Sequence, residues 1–69
     1  MVEIFKTDVQ KEHQANLLLS LLSQSYPAFS INFDLDDCDK ILRVEGNDIM
    51  PNKIIQLLKS KGHECEVLV

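Results

Sequence analysis

The sequence has no tryptophan, two glycines, two prolines and two cysteines among its 69 residues. So little glycine and proline excludes a collagen-like or low-complexity chain, and two cysteines cannot form the disulfide framework of a small secreted domain. There is no apolar run near the roughly 20 residues of a membrane span and no secretory signal. We therefore expect one domain, residues 1–69, located in the reducing cytoplasm and not in a membrane.

Positive charge is also scarce, with 7 Lys and Arg against 11 Asp and Glu and a net charge of -4. Nucleic-acid surfaces need clustered cations. The basic residues here are scattered, except for Lys59 and Lys61. We therefore expect no nucleic-acid partner.

The first half of the chain predicts a strand, a helix and a second strand. Residues 2–6 are rich in β-branched and aromatic side chains, and residues 9–25 carry leucines at helical spacing. Thr7 or Asp8 is expected to cap this helix. The predicted buried face consists of Ala15, Leu18, Leu19 and Leu22. Leu17 and Leu21 widen the apolar stripe, so they form either the margin of the core or a surface for a partner.

The second half predicts a hairpin, a helix and a last strand. Residues 29–35 alternate between apolar and polar side chains, and residues 41–45 give the second strand of the hairpin. Pro51 fits the first position of a helix, and Gly62 is a natural residue to follow its end. Residues 63–69 then form a strand with Cys65, Val67 and Val69 on one side.

The element order is therefore strand, helix, strand, strand, helix, strand. It predicts an α+β, ferredoxin-like βαββαβ sandwich, with a four-stranded antiparallel sheet in the order 4132. Right-handed crossovers place both helices on one face of the sheet. Three connections, residues 7–13, 36–39 and 62–63, should meet at one end of the molecule.

Three segments of the chain resemble the heavy-metal-associated domain family, which includes copper chaperones and the amino-terminal domains of metal-transporting ATPases. They are residues 2–9, which lead into the first loop, residues 39–46 of the hairpin, and residues 54–63 of the second helix. The resemblance covers nearly the whole chain. It implies the ferredoxin-like fold and a Cys-x-x-Cys pair for Cu(I) or Zn(II) at the start of the first helix.

This chain has no such pair of cysteines. Depending on the register, the two cysteine positions fall on Gln10 and His13 or on Lys11 and Gln14. Neither register supplies a thiolate, the soft ligand that Cu(I) prefers. We therefore expect that the thiolate site of the family has been lost.

A non-standard metal site is the alternative, formed by His13, His63 and Cys65 at the same end of the fold. Imidazole and thiolate ligands suit Cu, Zn and Ni, and the sequence predicts that such a metal binds weakly or not at all. The competing interpretation makes His13 a surface residue and Cys65 a small buried hydrophobe.

No enzyme motif is present: there is no nucleophile elbow, phosphate loop or HExxH. The sequence thus leads to three hypotheses. The first is a non-catalytic heavy-metal-associated-like domain that binds a partner protein, through its loop end or open sheet face, or binds metal weakly. The second is a metal-trafficking protein with the His/Cys site. The third is a small regulatory dimerisation module that pairs through its open sheet face or strand edges. The chain is expected to be a monomer or a weak homodimer.

Overall fold

A computed structural model describes residues 1–68 of the chain. Its elements are β1 Val2–Thr7, α1 Glu12–Ser25, β2 Ser30–Asp34, β3 Ile41–Glu45, α2 Pro51–Ser60 and β4 Cys65–Val67. This order confirms the predicted one. The last strand was predicted to reach Val69, which lies outside the described residues.

The four strands form one antiparallel sheet in the order β2-β3-β1-β4, which is the predicted order 4132 read from the other edge. Phe5 of β1 and Phe33 of β2 both lie opposite Leu42 of β3, and Thr7 lies opposite Cys65 of β4. Residues opposite one another share a face of the sheet. The sheet therefore presents one apolar face, and both helices cover it, so the predicted ferredoxin-like arrangement is confirmed.

The core joins this sheet face to one side of each helix. Its buried apolar residues are Phe5, Val9, Ala15, Leu18, Leu22, Leu42, Val44, Ile49, Ile54, Leu58 and Cys65. Leu19, which was predicted on the buried face, is only half-buried, as is Leu21. Leu17 is 66% exposed, so it is a surface residue and not the margin of the core; that it belongs to a partner surface stays a prediction.

Helix α1 begins later than the sequence predicts. Residues 9–11 precede it, and Val9 is fully buried in the core. Lys11 is the N-cap residue, and its backbone N–H donates to the Gln14 side chain, 3.3 Å away. The prediction that Thr7 or Asp8 caps the helix is therefore wrong. Val9 packs in the core, and this displaces the start of the helix. The side chains of Thr7 and Asp8 bind other groups instead.

The two helices end in different ways. Helix α2 ends in a Schellman motif, in which the Gly62 N–H donates to Lys59 O and the His63 N–H donates to Leu58 O, both at 3.0 Å. Gly62 has φ +86°, a conformation that glycine adopts without strain. Helix α1 instead ends before Pro27, and Tyr26 stacks on Phe29 with ring centroids 5.2 Å apart.

Candidate functional site

The loop end of the fold is the place where the three predicted connections meet. Thr7 links two of them. Its backbone N–H donates to Asp39 O at 3.1 Å, its hydroxyl donates to Lys40 O, and the same oxygen accepts the Val9 N–H at 3.2 Å. Thr7 is buried. This threonine therefore fixes the hairpin turn against the end of β1.

Asp8 links the first loop to the third. Its Oδ1 accepts the Glu64 N–H at 3.0 Å and lies 3.1 Å from Nδ1 of His63. A carboxylate oxygen only accepts hydrogen bonds, so Nδ1–H of His63 is the donor. The imidazole is 16% exposed. His63 is thus held in a defined orientation, and Nε2 is the ring nitrogen left for a metal ligand.

Cys65 begins β4 beside Thr7 and belongs to the core, where it is 5% exposed. Burial raises the pKa of its thiol to about 12, although Lys59 opposes the shift; Asp8 and Glu66 add to it. Metal ions bind the thiolate form of cysteine. At neutral pH Cys65 is therefore protonated. Its burial confirms the interpretation of Cys65 as a small buried hydrophobe.

His13, the third predicted ligand, is exposed on α1. Within residues 1–68, one group of three His, Cys, Asp or Glu residues has its ligand atoms within 4.8 Å of one another: Asp37, Cys38 and Asp39. The predicted set of His13, His63 and Cys65 is not gathered to this distance, and the metal hypothesis stays a prediction.

The exposed Asp-Cys-Asp group lies in the hairpin turn and has a structural use. Oδ1 of Asp37 accepts the Asp39 N–H at 2.9 Å, and Oδ1 of Asp34 accepts the Asp36 N–H at 3.2 Å. Such bonds are the usual reason for aspartate in turns. Cys38 is exposed, Cys65 is buried, and both are free thiols.

The positions of the missing Cys-x-x-Cys pair lie around the first turn of α1. Gln10 and Lys11 are exposed, and Gln14 is half-buried. In the register that places the pair on Lys11 and Gln14, these residues supply an ammonium group and an amide, and the amide oxygen accepts the Lys11 N–H. Neither group is a soft ligand.

A groove of about 370 Å³ runs between α1 and the connection from α2 to β4. We call it the leucine groove; it is lined by Gln14, Leu17, Leu18, Ser20, Leu21, Lys61 and His63. The spacing of Leu17 and Leu21 predicted either core margin or a partner surface, and it did not predict a groove. The wall formed by Lys61 and His63 comes from a distant part of the chain, and no local pattern predicts it.

A larger, more polar cleft of about 550 Å³ lies on the other side of α1. Its floor includes Ala15, Leu19 and Phe33, and Glu12, Asp34 and Asp36 also line it. The carboxylate of Asp34 already binds the backbone of the turn. This cleft therefore has an acidic rim over an apolar floor.

Comparison of the chain with protein-family models, with curated proteins and with solved structures gave no match. Neither of the helices formed by residues 1–68 combines the length and the hydropathy needed to cross a membrane.

Proposed function

We propose that this chain is a non-catalytic, heavy-metal-associated-like domain that has lost the thiolate metal site and acts by binding another protein. The observation that carries the proposal is the state of Cys65. It begins β4 beside the first loop, yet it is a core residue, 5% exposed, and burial raises the pKa of its thiol to about 12. Converting it to a thiolate ligand at neutral pH would require deprotonation against that shift and exposure of a core residue.

The other polar groups of the loop end support the same proposal. Thr7 joins β1 to the hairpin turn, and Asp8 joins the first loop to Glu64 and His63. These side chains satisfy backbone and side-chain partners within the domain. A metal bound by Asp8 or Thr7 would have to break these contacts, and His63 offers only its Nε2 while Cys65 is buried, so any transition metal (Cu, Zn or Ni) is expected to bind weakly.

The surface of α1 supports protein binding. Leu17 is 66% exposed beside the leucine groove, and residues 13–25 of the helix include no Asp, Glu, Lys or Arg. The cores of protein–protein interfaces are depleted of charged residues and enriched in well-packed apolar contacts. A solvated helix face normally carries charge instead.

The proposal includes a cytoplasmic location. Its support is the exposed free thiol of Cys38 together with the second free thiol, Cys65. Reducing compartments keep such thiols unpaired, whereas small secreted domains use their cysteines in disulfides.

Native mass spectrometry of the reduced protein tests the loss of the metal site. The protein is titrated with Cu(I), Zn(II) and Ni(II) against a moderate competing chelator, in parallel with the variants His63→Ala, His13→Ala and Cys65→Ala. We expect no metal to be retained. A stoichiometric complex that His63→Ala or Cys65→Ala abolishes would overturn the proposal in favour of metal trafficking through a His/Cys site.

Protein binding is tested by comparing immobilised wild type with Leu17→Glu. Proteins recovered from a cell extract by the first and not by the second are purified, and their binding to both is measured by calorimetry. We expect saturable binding that Leu17→Glu weakens. Ser23→Glu is the matched control, because Ser23 is an exposed position on another side of the same helix. This variant should bind as tightly as wild type.

A further inference from the structure

The distribution of charge along this chain is uneven. Charged residues make up 26% of the sequence, but residues 13–33 contain none. In the folded protein, this segment includes all of α1 after Glu12. The outward positions of α1 are therefore occupied by uncharged polar residues and by Leu17, whereas the exposed positions of α2 include Lys53 and Lys59.

The leucine groove can accept an apolar side chain from a facing helix. Five residues of α1 line it, and four of them, Gln14, Leu17, Leu18 and Leu21, are spaced i, i+3, i+4 and i+7; the fifth is Ser20. Four residues at this spacing form the hole that accepts a side chain from a facing helix in knobs-into-holes packing. Leu17 is both a wall of the groove and the most exposed leucine of α1, so one helix offers the side chain and the hole.

The lack of charge on α1 makes it the surface at which a second copy is least opposed. A chain of net charge -4 repels its own copies, so two copies can meet only where acidic residues are absent. Glu12 is the only formally charged residue of α1. Two copies that meet through this helix therefore bring no other charge of α1 into the contact. The basic rim residue Lys61 also opposes the net charge of the other copy. A contact between identical subunits must be self-complementary about a two-fold axis, and a face that holds both the leucine and the hole meets that condition.

We propose that two copies of this chain associate through α1, antiparallel about a two-fold axis, with Leu17 of each copy seated in the leucine groove of the other. This inference rests on the proposed function and names its partner as a second copy of the chain. It differs from pairing through the open sheet face or strand edges, because it leaves β2 and β4 free at the edges of the sheet.

The contact is small. Helix α1 has 14 residues and is therefore about 21 Å long at 1.5 Å per residue. A stable dimer of standard size buries about 800 Å² on each partner, a large share of the 4513 Å² surface of this chain. The pairing of one short helix supplies less, so the dimer is weak and its population depends on concentration.

Sedimentation equilibrium across a wide range of protein concentration tests the inference, with circular dichroism to verify that each variant is folded. We expect wild type to move from monomer to dimer. Leu17→Glu and Leu17→Lys each place like charges together at the two-fold contact, and each weakens association by about tenfold or more, the equivalent of 1.4 kcal/mol. Ser23→Glu introduces the same charge into α1 away from the groove and associates like wild type.

Mixing the two charged variants gives the decisive result. A two-fold contact at Leu17 brings the introduced carboxylate of one copy beside the introduced ammonium group of the other. The mixture should therefore recover a heterodimer that neither variant forms alone. A wild type that is monomeric throughout, a mixture without recovery, or equal weakening by Ser23→Glu would overturn the inference.

These outcomes are separable from failure of the proposed function. A monomeric wild type that retains no metal contradicts the dimer alone, and the partner is then a different protein. Tight, stoichiometric metal binding contradicts the proposed function whatever the sedimentation shows.

Discussion

The two helices lie on the same face of one sheet, but their outer surfaces differ. Helix α2 buries Ile54 and Leu58 and exposes lysines, and so has the surface of a helix that faces water. Helix α1 buries apolar residues in the same way, yet its outer surface is uncharged after Glu12 and exposes Leu17. The difference shows that α1 has more apolar residues than its packing on the sheet can bury, and that the surplus lies on the surface.

Truncation of the buried face should destabilise both helices strongly and by similar amounts. Leu18→Ala in α1 and Leu58→Ala in α2 each remove a side chain that is at most 3% exposed, and each should lower the free energy of unfolding by about 2–5 kcal/mol. Urea denaturation followed by circular dichroism measures both losses. A near-neutral Leu18→Ala would mean that α1 does not pack on the sheet through this face.

A smaller loss of stability is expected when Gly46, which lies against the residues that follow α1, is replaced. A Cβ added at Gly46 would lie 2.4 Å from Cδ1 of Phe29, the ring that stacks beyond the end of α1. Gly46→Ala should therefore destabilise the fold by about 1–3 kcal/mol through overpacking, measured by urea denaturation.

The matched control for that prediction is Gly62→Ala at the end of α2. There, no described atom lies within 4 Å of an added Cβ, and only the φ of +86° opposes a side chain. In combination with Phe29→Leu, the cost of Gly46→Ala should shrink while that of Gly62→Ala stays constant. Equal behaviour of the two glycine variants would contradict a steric origin at Gly46.

The pH dependence of stability tests the burial of Cys65, because desolvation raises the pKa of its thiol and Lys59 of α2 only partly opposes that shift. Burial raises the pKa of Cys65 from 9.0 to about 12 in the folded state. Its contribution to stability is complete below pH 9.0 and is lost as the pH rises toward 12, because the unfolded chain releases the proton first.

Urea denaturation at several pH values above neutrality, on wild type and Cys65→Ala, isolates this contribution as the difference between the two slopes. Wild type should lose stability more steeply with rising pH. Parallel slopes would show that the thiol ionises equally in both states and that its burial is incomplete.

The smallest effect on stability is expected at Leu17. Comparison with Leu18 sets the exposed side of α1 against its buried side. Leu17 is 66% exposed, so Leu17→Ala should change the free energy of unfolding by less than about 0.5 kcal/mol. Thermal and urea unfolding of the dilute protein measure it. A loss as large as that of Leu18→Ala would make Leu17 a core residue.

Short-range patterns were sufficient to predict most of the fold. The alternation in residues 29–35 predicted the strand that is observed as Ser30–Asp34, and Pro51 and Gly62 marked the ends of α2 correctly. These signals work because proline and glycine act on the backbone locally and because alternation reports directly on a two-sided strand. The start of α1 was missed, since burial of Val9 in the core overrides a local preference for capping by Thr7 or Asp8.

Residue type and spacing along the chain were enough to establish the element order, the sheet order and the absence of a Cys-x-x-Cys pair. The roles of Asp8, Cys65 and Leu17 became visible only in the folded protein. Asp8 meets residues from the far end of the chain, Cys65 owes its raised pKa to burial, and Leu17 stays outside while Leu18 is enclosed. Hydrogen bonding, desolvation and exposure arise from neighbours that folding brings together, and local spacing does not contain them.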